Sequence, residues 1–195
     1  MKKSILISLV SVLLFFGCST QRKVERVSPD AQIDLSGRWN DSDSRLVADE
    51  MTQQLLGEKW LPRFEQANNN ERPVLIVGLI RNKSHEHIDA EMFIKDVERA
   101  IIQNGSCRLV QAGDKREELR TERADQQNFA SKETAKKWGL ELGADFILQG
   151  SINSIVDEYQ KQKTVTYQIN LELTDLQTNE LVWVGDKKIK KLITN

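Results

Sequence analysis

Val74-Leu75-Ile76-Val77-Gly78-Leu79-Ile80 restricts the fold of this chain more than any other stretch, because it is apolar without a break and rich in β-branched residues. A strand with one wet face alternates apolar and polar side chains. An unbroken run suits a strand buried on both faces, central in a sheet that helices cover. The covering helices can be read on either side of it. From Ser42 to Trp60, Val47, Met51 and Leu55 recur every four residues, and Leu46 and Leu56 widen the stripe. Asn40, Asp41, Ser42 and Asp43 offer capping oxygens at its start, and Pro62 is expected to end it. From Asp89 to Asn104, Ala90, Phe93, Ile94, Val97, Ala100 and Ile101 give a second apolar face, closed by Gly105.

Further along, Cys107 to Val110 reads as a short strand. Lys115 to Phe129 has helical propensity with only Leu119, Ala124 and Phe129 as anchors, so it should be largely solvated. Ser131 to Leu142 reads as another helix, burying Ala135, Trp138 and Leu142 and stopping at Gly143. Phe146 begins a strand to about Val156. Val165, Tyr167, Ile169, Leu171 and Leu173 then alternate on one face of the next strand, and Thr178-Asn179 turns the chain into Leu181 to Ile189. The expected fold class is α/β (mixed α+β): a central mixed sheet of about five strands flanked by helices, parallel in front and an antiparallel meander behind.

The amino terminus carries a different signal. Lys2 and Lys3 precede an apolar stretch from Ile5 to Phe16, too short for the ~20 residues of a spanning helix and suited to a signal peptide. Phe15-Phe16-Gly17-Cys18 resembles the lipobox of bacterial lipoproteins. The domain expectation is therefore a signal peptide over 1–17, lipidated Cys18 with a flexible tether over 18–34, and one globular domain over 35–195. Two or three acyl chains, at ~0.8 kcal/mol per buried methylene, would hold such a protein at a membrane. Ser19 after the cysteine resembles the outer-membrane sorting default, with the domain in the periplasm.

Charge and motifs narrow the function. The net charge is −1, with 28 basic and 29 acidic residues interspersed, so no nucleic-acid footprint is evident. With Cys18 acylated, Cys107 has no partner, and its apolar neighbours suggest a buried small hydrophobe. No phosphate-binding glycine loop, nucleophile elbow or CxxC pair occurs. His85 and His87, beside Glu86 and Asp89, could hold a metal on a loop, but a polar loop before a capped helix explains the same letters. No enzyme activity, cofactor, metal or small-molecule substrate is expected, and a binding module is. Arg38, Trp39 and Asn40 are the candidate partner-binding residues, since Trp and Arg are common interface anchors. The alternative is that Trp39 packs on the following helix while Asn40 or Ser42 caps it.

Several of these segments come in one order: Phe15 to Cys18, Arg38-Trp39-Asn40, Val74 to Ile80 followed by Asn82, Leu142-Gly143-Ala144-Asp145-Phe146-Ile147-Leu148 with Gly150, and Asn179-Glu180-Leu181-Val182-Trp183. Together they resemble the LpoB-type penicillin-binding protein activator lipoproteins over Leu35 to Ile189. The Gly-Ala-Asp string is also similar to domains like the TolB amino-terminal domain and to CsgG-like lipoproteins. The resemblance implies a helix-flanked sheet, an outer-membrane lipid anchor, and docking on a class A, bifunctional penicillin-binding protein that it activates without catalysis. Better-known members have a long Pro-rich linker, whereas this tether holds only Pro29. A structural or assembly lipoprotein of an envelope secretion complex, CsgG-like, is the alternative. Against it stand Lys187, Lys188, Lys190 and Lys191, which read as a solvated strand edge.

Overall fold

A computed structural model describes residues 23–29, 31–129 and 141–194. The expected signal peptide, Cys18 and nearly all of the helix expected at Ser131 to Leu142 lie outside them. Leu142 itself is described; it is non-helical and 42% exposed rather than buried. Its neighbour Glu141 is held outward by Arg120, which donates from Nε at 2.9 Å and Nη2 at 2.8 Å.

The unit from Gln32 to Asn195 opens with helix α1, Asp41–Gly57. Asn40 is its N-cap: the Asn40 side chain accepts from the Asp43 backbone N–H, and Asp43 accepts from that of Asn40. This reciprocal pair satisfies two groups that a helix start otherwise leaves open. Pro62 does not end this helix. The chain turns extended at Glu58, and a separate helix α2 runs over Trp60–Ala67 with Pro62 in its first turn. There a missing N–H loses no intrahelical bond. Trp60 belongs to α2 and its indole N–H caps back onto the Leu55 carbonyl at 2.7 Å.

Strand β1 follows at Val74–Asn82, then helix α3 at Ala90–Asn104, strand β2 at Arg108–Leu109 and helix α4 at Gly113–Phe129. Asp89 caps α3, and Gly105 ends it in the left-handed conformation with φ 78°. Strands β3 (Phe146–Tyr159), β4 (Gln162–Asp175) and β5 (Leu181–Thr194) complete the chain. They join β1 and β2 in a five-stranded mixed sheet of order β2-β1-β3-β4-β5. Pairing is parallel for β1 with β2 and β3, and antiparallel for β3 with β4 and β4 with β5. The expected fold class is the one observed. No helix among the described residues is long and apolar enough to cross a membrane.

The core lies between α1, α2, α3 and one sheet face. Val165, Tyr167, Ile169, Leu171 and Leu173 are all buried there with Val47, Met51, Leu55, Phe93 and Ile101. Trp60 and Phe64 meet Phe146 edge-on at 5.2 and 5.4 Å. Cys107 lies just outside β2 and is buried, as a small hydrophobe would be. One expectation needs correction. Val74, Leu75 and Val77 are buried, but β1 is not covered along both faces: its register with β3 shifts between Val77 and Ile80, and Leu79 is 57% exposed. A bulge adds one residue and increases local twist, so the run beyond it turns a side chain out.

Candidate docking surface

Asn82, at the end of β1, shapes the loop that follows. Its amide donates to the carbonyls of Glu86 (2.8 Å) and Ile88 (3.3 Å), and its oxygen accepts from the Ser84 N–H and hydroxyl. The loop thereby turns the Glu86 carboxylate into the fold. One oxygen accepts the Tyr167 hydroxyl at 2.8 Å and the other the Trp39 backbone N–H at 3.1 Å. Burial, with the adjacent Glu86, pushes the Tyr167 phenol well above its ordinary range, so the phenol stays a donor.

Trp39 is locked on this platform. Its ring stands edge-on to Tyr167 at 5.5 Å and to Phe93 at 6.4 Å. Asn40 caps α1 and also donates to Asp34 at 2.7 Å. Of the three candidate binding residues, Arg38 alone has an exposed side chain, while those of Trp39 and Asn40 are half-buried. Trp39 and Asn40 hold the backbone that presents it.

The same segment is fastened to the last strand. The Lys191 ammonium donates to Asp43 (2.6 Å), Asp34 (2.7 Å) and the Arg38 carbonyl (2.9 Å), which uses all three of its protons. Asp43 is buried and Lys191 half-buried, at 8% and 11% side-chain exposure. Desolvation works against the Lys191 charge, but its bonds to Asp34 and Asp43 prevail and its pKa is raised. Asp34 is correspondingly lowered, first by Lys191 and then by Asn40. The reading of four lysines as one solvated edge is thus corrected. Strand alternation sends Lys187 and Lys191 to the helix face, where Lys187 pairs with Glu50 on α1, and leaves Lys188 and Lys190 outside. Asp43, expected in a capping or solvated setting, is a buried cap.

His85 lies 2.6 Å from the Ser154 hydroxyl through Nδ1. Its Nε2 is 3.4 Å from Glu86 Oε1, so the loop brings His85 and Glu86 together, but no metal-holding group of three or more such residues occurs among the described residues. The Gly143-Ala144-Asp145 string serves packing: Asp145 accepts the Val74 N–H at 2.7 Å, pinning the start of β1 to that of β3.

The sheet face away from the helices is open. It carries Gln149, Ser151 and Asn153 on β3, Gln168, Asn170 and Glu172 on β4, and Lys188 and Lys190 on β5. At its far end the β3–β4 hairpin exposes Ile155 and Tyr159, with Leu192 beside them on β5. This face therefore combines a polar field with an apolar, aromatic end.

A family model for the peptidoglycan-synthase activator LpoB matches residues 43–189, about three quarters of the chain. Among solved structures, the chain is similar to the LpoB C-terminal domain from Escherichia coli, with 20% identity, TM-score 0.46, and coverage of 75% of this chain and 98% of that domain. The corresponding domain from Salmonella enterica has 17% identity with the same coverage and TM-score. Lipoprotein GNA1162 from Neisseria meningitidis has 13% identity, TM-score 0.39, and coverage of 62% of this chain and 83% of that one. No curated protein sequence matches significantly.

Proposed function

The chain belongs to the LpoB family of peptidoglycan-synthase activators, and from that premise we propose that it binds and activates a bifunctional, class A penicillin-binding protein without catalysing a reaction itself. The observation that carries the reading is the family match across residues 43–189, which runs from the first turn of α1 through most of β5. An activator of this kind works by binding the active conformation of its partner better than the inactive one. Preorganised surfaces suit that task, because conformational freedom lost on binding weakens association. Arg38, presented by the locked Trp39 and Asn40, is our candidate contact on the docking side.

The anchoring belongs to the same proposal. Acylation at Cys18 holds the protein at the outer membrane and leaves the domain in the periplasm. Mass spectrometry of the native product tests this, and an unmodified thiol at Cys18 would refute it. For activation, full-length protein in detergent is added to a purified class A penicillin-binding protein, and glycan polymerisation is followed with pull-down in parallel. A rate increase that Arg38→Ala weakens is expected. Absence of both binding and acceleration would end the proposal.

A further inference from the structure

The open sheet face contains a concave site where the β1–β3 ladder is interrupted. Beside the bulge between Val77 and Ile80 lies a groove of about 290 Å³, near the lower end of small-molecule sites at ~300 Å³. Arg81 and Lys83 stand along its β1 side, Gln149 and Ser151 on β3 form its floor, and Asn170 and Glu172 on β4 form its far side.

The charges are arranged in order and are not neutralised. Arg81, Lys83, Gln149 and Glu172 make no ion pair or side-chain hydrogen bond among the described residues, although the molecule pairs its charges readily elsewhere. Ser151 accepts from Asn153, and Asn170 accepts from Gln168, so the Ser151 hydroxyl proton and the Asn170 amide donors stay available. Cations thus line one side, donors the floor, and a single carboxylate the other side.

We propose that this groove binds a short free peptide in extended form, with its C-terminal carboxylate on Arg81 and Lys83 and its N-terminal ammonium on Glu172. Length selects the ligand. Arg81 pairs through Ser151 with Asn170, and Glu172 lies two residues further along β4, so the backbones of Arg81 and Glu172 are two strand steps and two residues apart, ~12 Å. Three extended residues at ~3.3–3.6 Å each span ~10 Å, and the long side chains on both sides close the remainder. A free amino acid, whose two charges sit on one carbon, cannot reach both sides. A simple anion would leave Glu172 unused. The Gln149 and Asn170 amides and the Ser151 hydroxyl supply partners for the peptide backbone. The site is independent of the activator role and needs no synthase.

The test is calorimetric titration of the full-length protein in detergent with trialanine, amidated trialanine, N-acetyl-trialanine and inorganic phosphate. Trialanine should bind, amidation should weaken it at least tenfold, and N-acetylation severalfold. Arg81→Gln should reproduce the loss on amidation, and Glu172→Gln should abolish the difference made by N-acetylation. These residues are exposed, and melting curves verify that each variant is folded; the capped peptides probe the unaltered protein in any case. No binding of trialanine, equal binding of all three peptides, or binding of phosphate alone would each overturn the assignment. None of these results depends on whether a penicillin-binding protein is activated.

Discussion

Replacing Lys191 by Met tests the fastening between the amino-terminal segment and the last strand. The substitution keeps most of the stem's packing but removes an ammonium that donates to Asp43, Asp34 and the Arg38 carbonyl. Asp34 is 39% exposed and can recover water, so its share of the loss is small. Asp43 is 8% exposed and would be left with the Asn40 backbone N–H as its remaining donor. Breaking a buried pair from one side costs ~3–5 kcal/mol, and the partial exposure here favours the lower end, ~3 kcal/mol. For a domain of this size each kcal/mol moves the melting temperature ~2–4 °C, so a fall of ~6–12 °C is expected by circular dichroism. Adding Asp43→Asn keeps a capping oxygen and removes the stranded charge. The double variant should therefore be more stable than the sum of the singles implies, by ~1–3 kcal/mol in a double-mutant cycle. A loss below ~1 kcal/mol for Lys191→Met, or additivity within ~0.5 kcal/mol, would refute the claim that these groups act as a unit.

The pH profile of stability should be a plateau with two falling flanks. Asp34, lowered chiefly by Lys191, and Asp175, lowered chiefly by the Thr178 backbone N–H, bind protons less readily when folded, so their contribution is present above pH 3.8 and drains away as pH falls through their lower folded values. Lys191 is raised, so its contribution is whole below pH 10.5 and is lost as pH climbs through its folded value; melting curves across pH should show both flanks, with the alkaline one shallower in Lys191→Met. Burial, reinforced by Glu65, pushes the Cys107 thiol up to about 12, so iodoacetamide at pH 8 should leave it unmodified in native protein and label it in urea, as read by peptide mass mapping. Glu86→Ala strands the Tyr167 hydroxyl and the Trp39 N–H and should destabilise by ~1–3 kcal/mol in urea melts; a change under ~0.5 kcal/mol would show that water replaces the carboxylate freely.

How much of this could be read beforehand follows from the range of each interaction. The β4 alternation, the α3 face and its Gly105 cap, and the cluster of capping oxygens at Asn40 to Asp43 are local patterns, and the fold class came from adding them; only the structure shows which of the four caps the helix. Trp60 was misplaced because its i, i+4 spacing continues the α1 stripe, while the break at Glu58 carries no proline or glycine of its own beyond Gly57. Pro62 marked a boundary correctly in kind but stands just inside a helix rather than after one. The bulge at Gly78-Leu79 left a single glycine as its trace, inside a run whose hydrophobicity suggested cover on both sides. Least legible were the contacts of the candidate site. Glu86 reaches Trp39 and Tyr167 across 47 and 81 positions, and no periodicity marks it as an inward carboxylate. Likewise four nearby lysines look alike in letters, and only the register of β5 sorts two inward and two outward.

The bond between Lys191 and Asp43 joins residues 148 positions apart. Asp43 is also half of the cap that starts the first helix, so that helix is made early in synthesis yet finished only when the closing strand arrives. Contacts of such long sequence separation form late and slowly. A chain truncated anywhere before Lys191 therefore leaves its beginning unsealed as well as its end, and quality-control proteases would meet a loose amino terminus long after most of the core had collapsed.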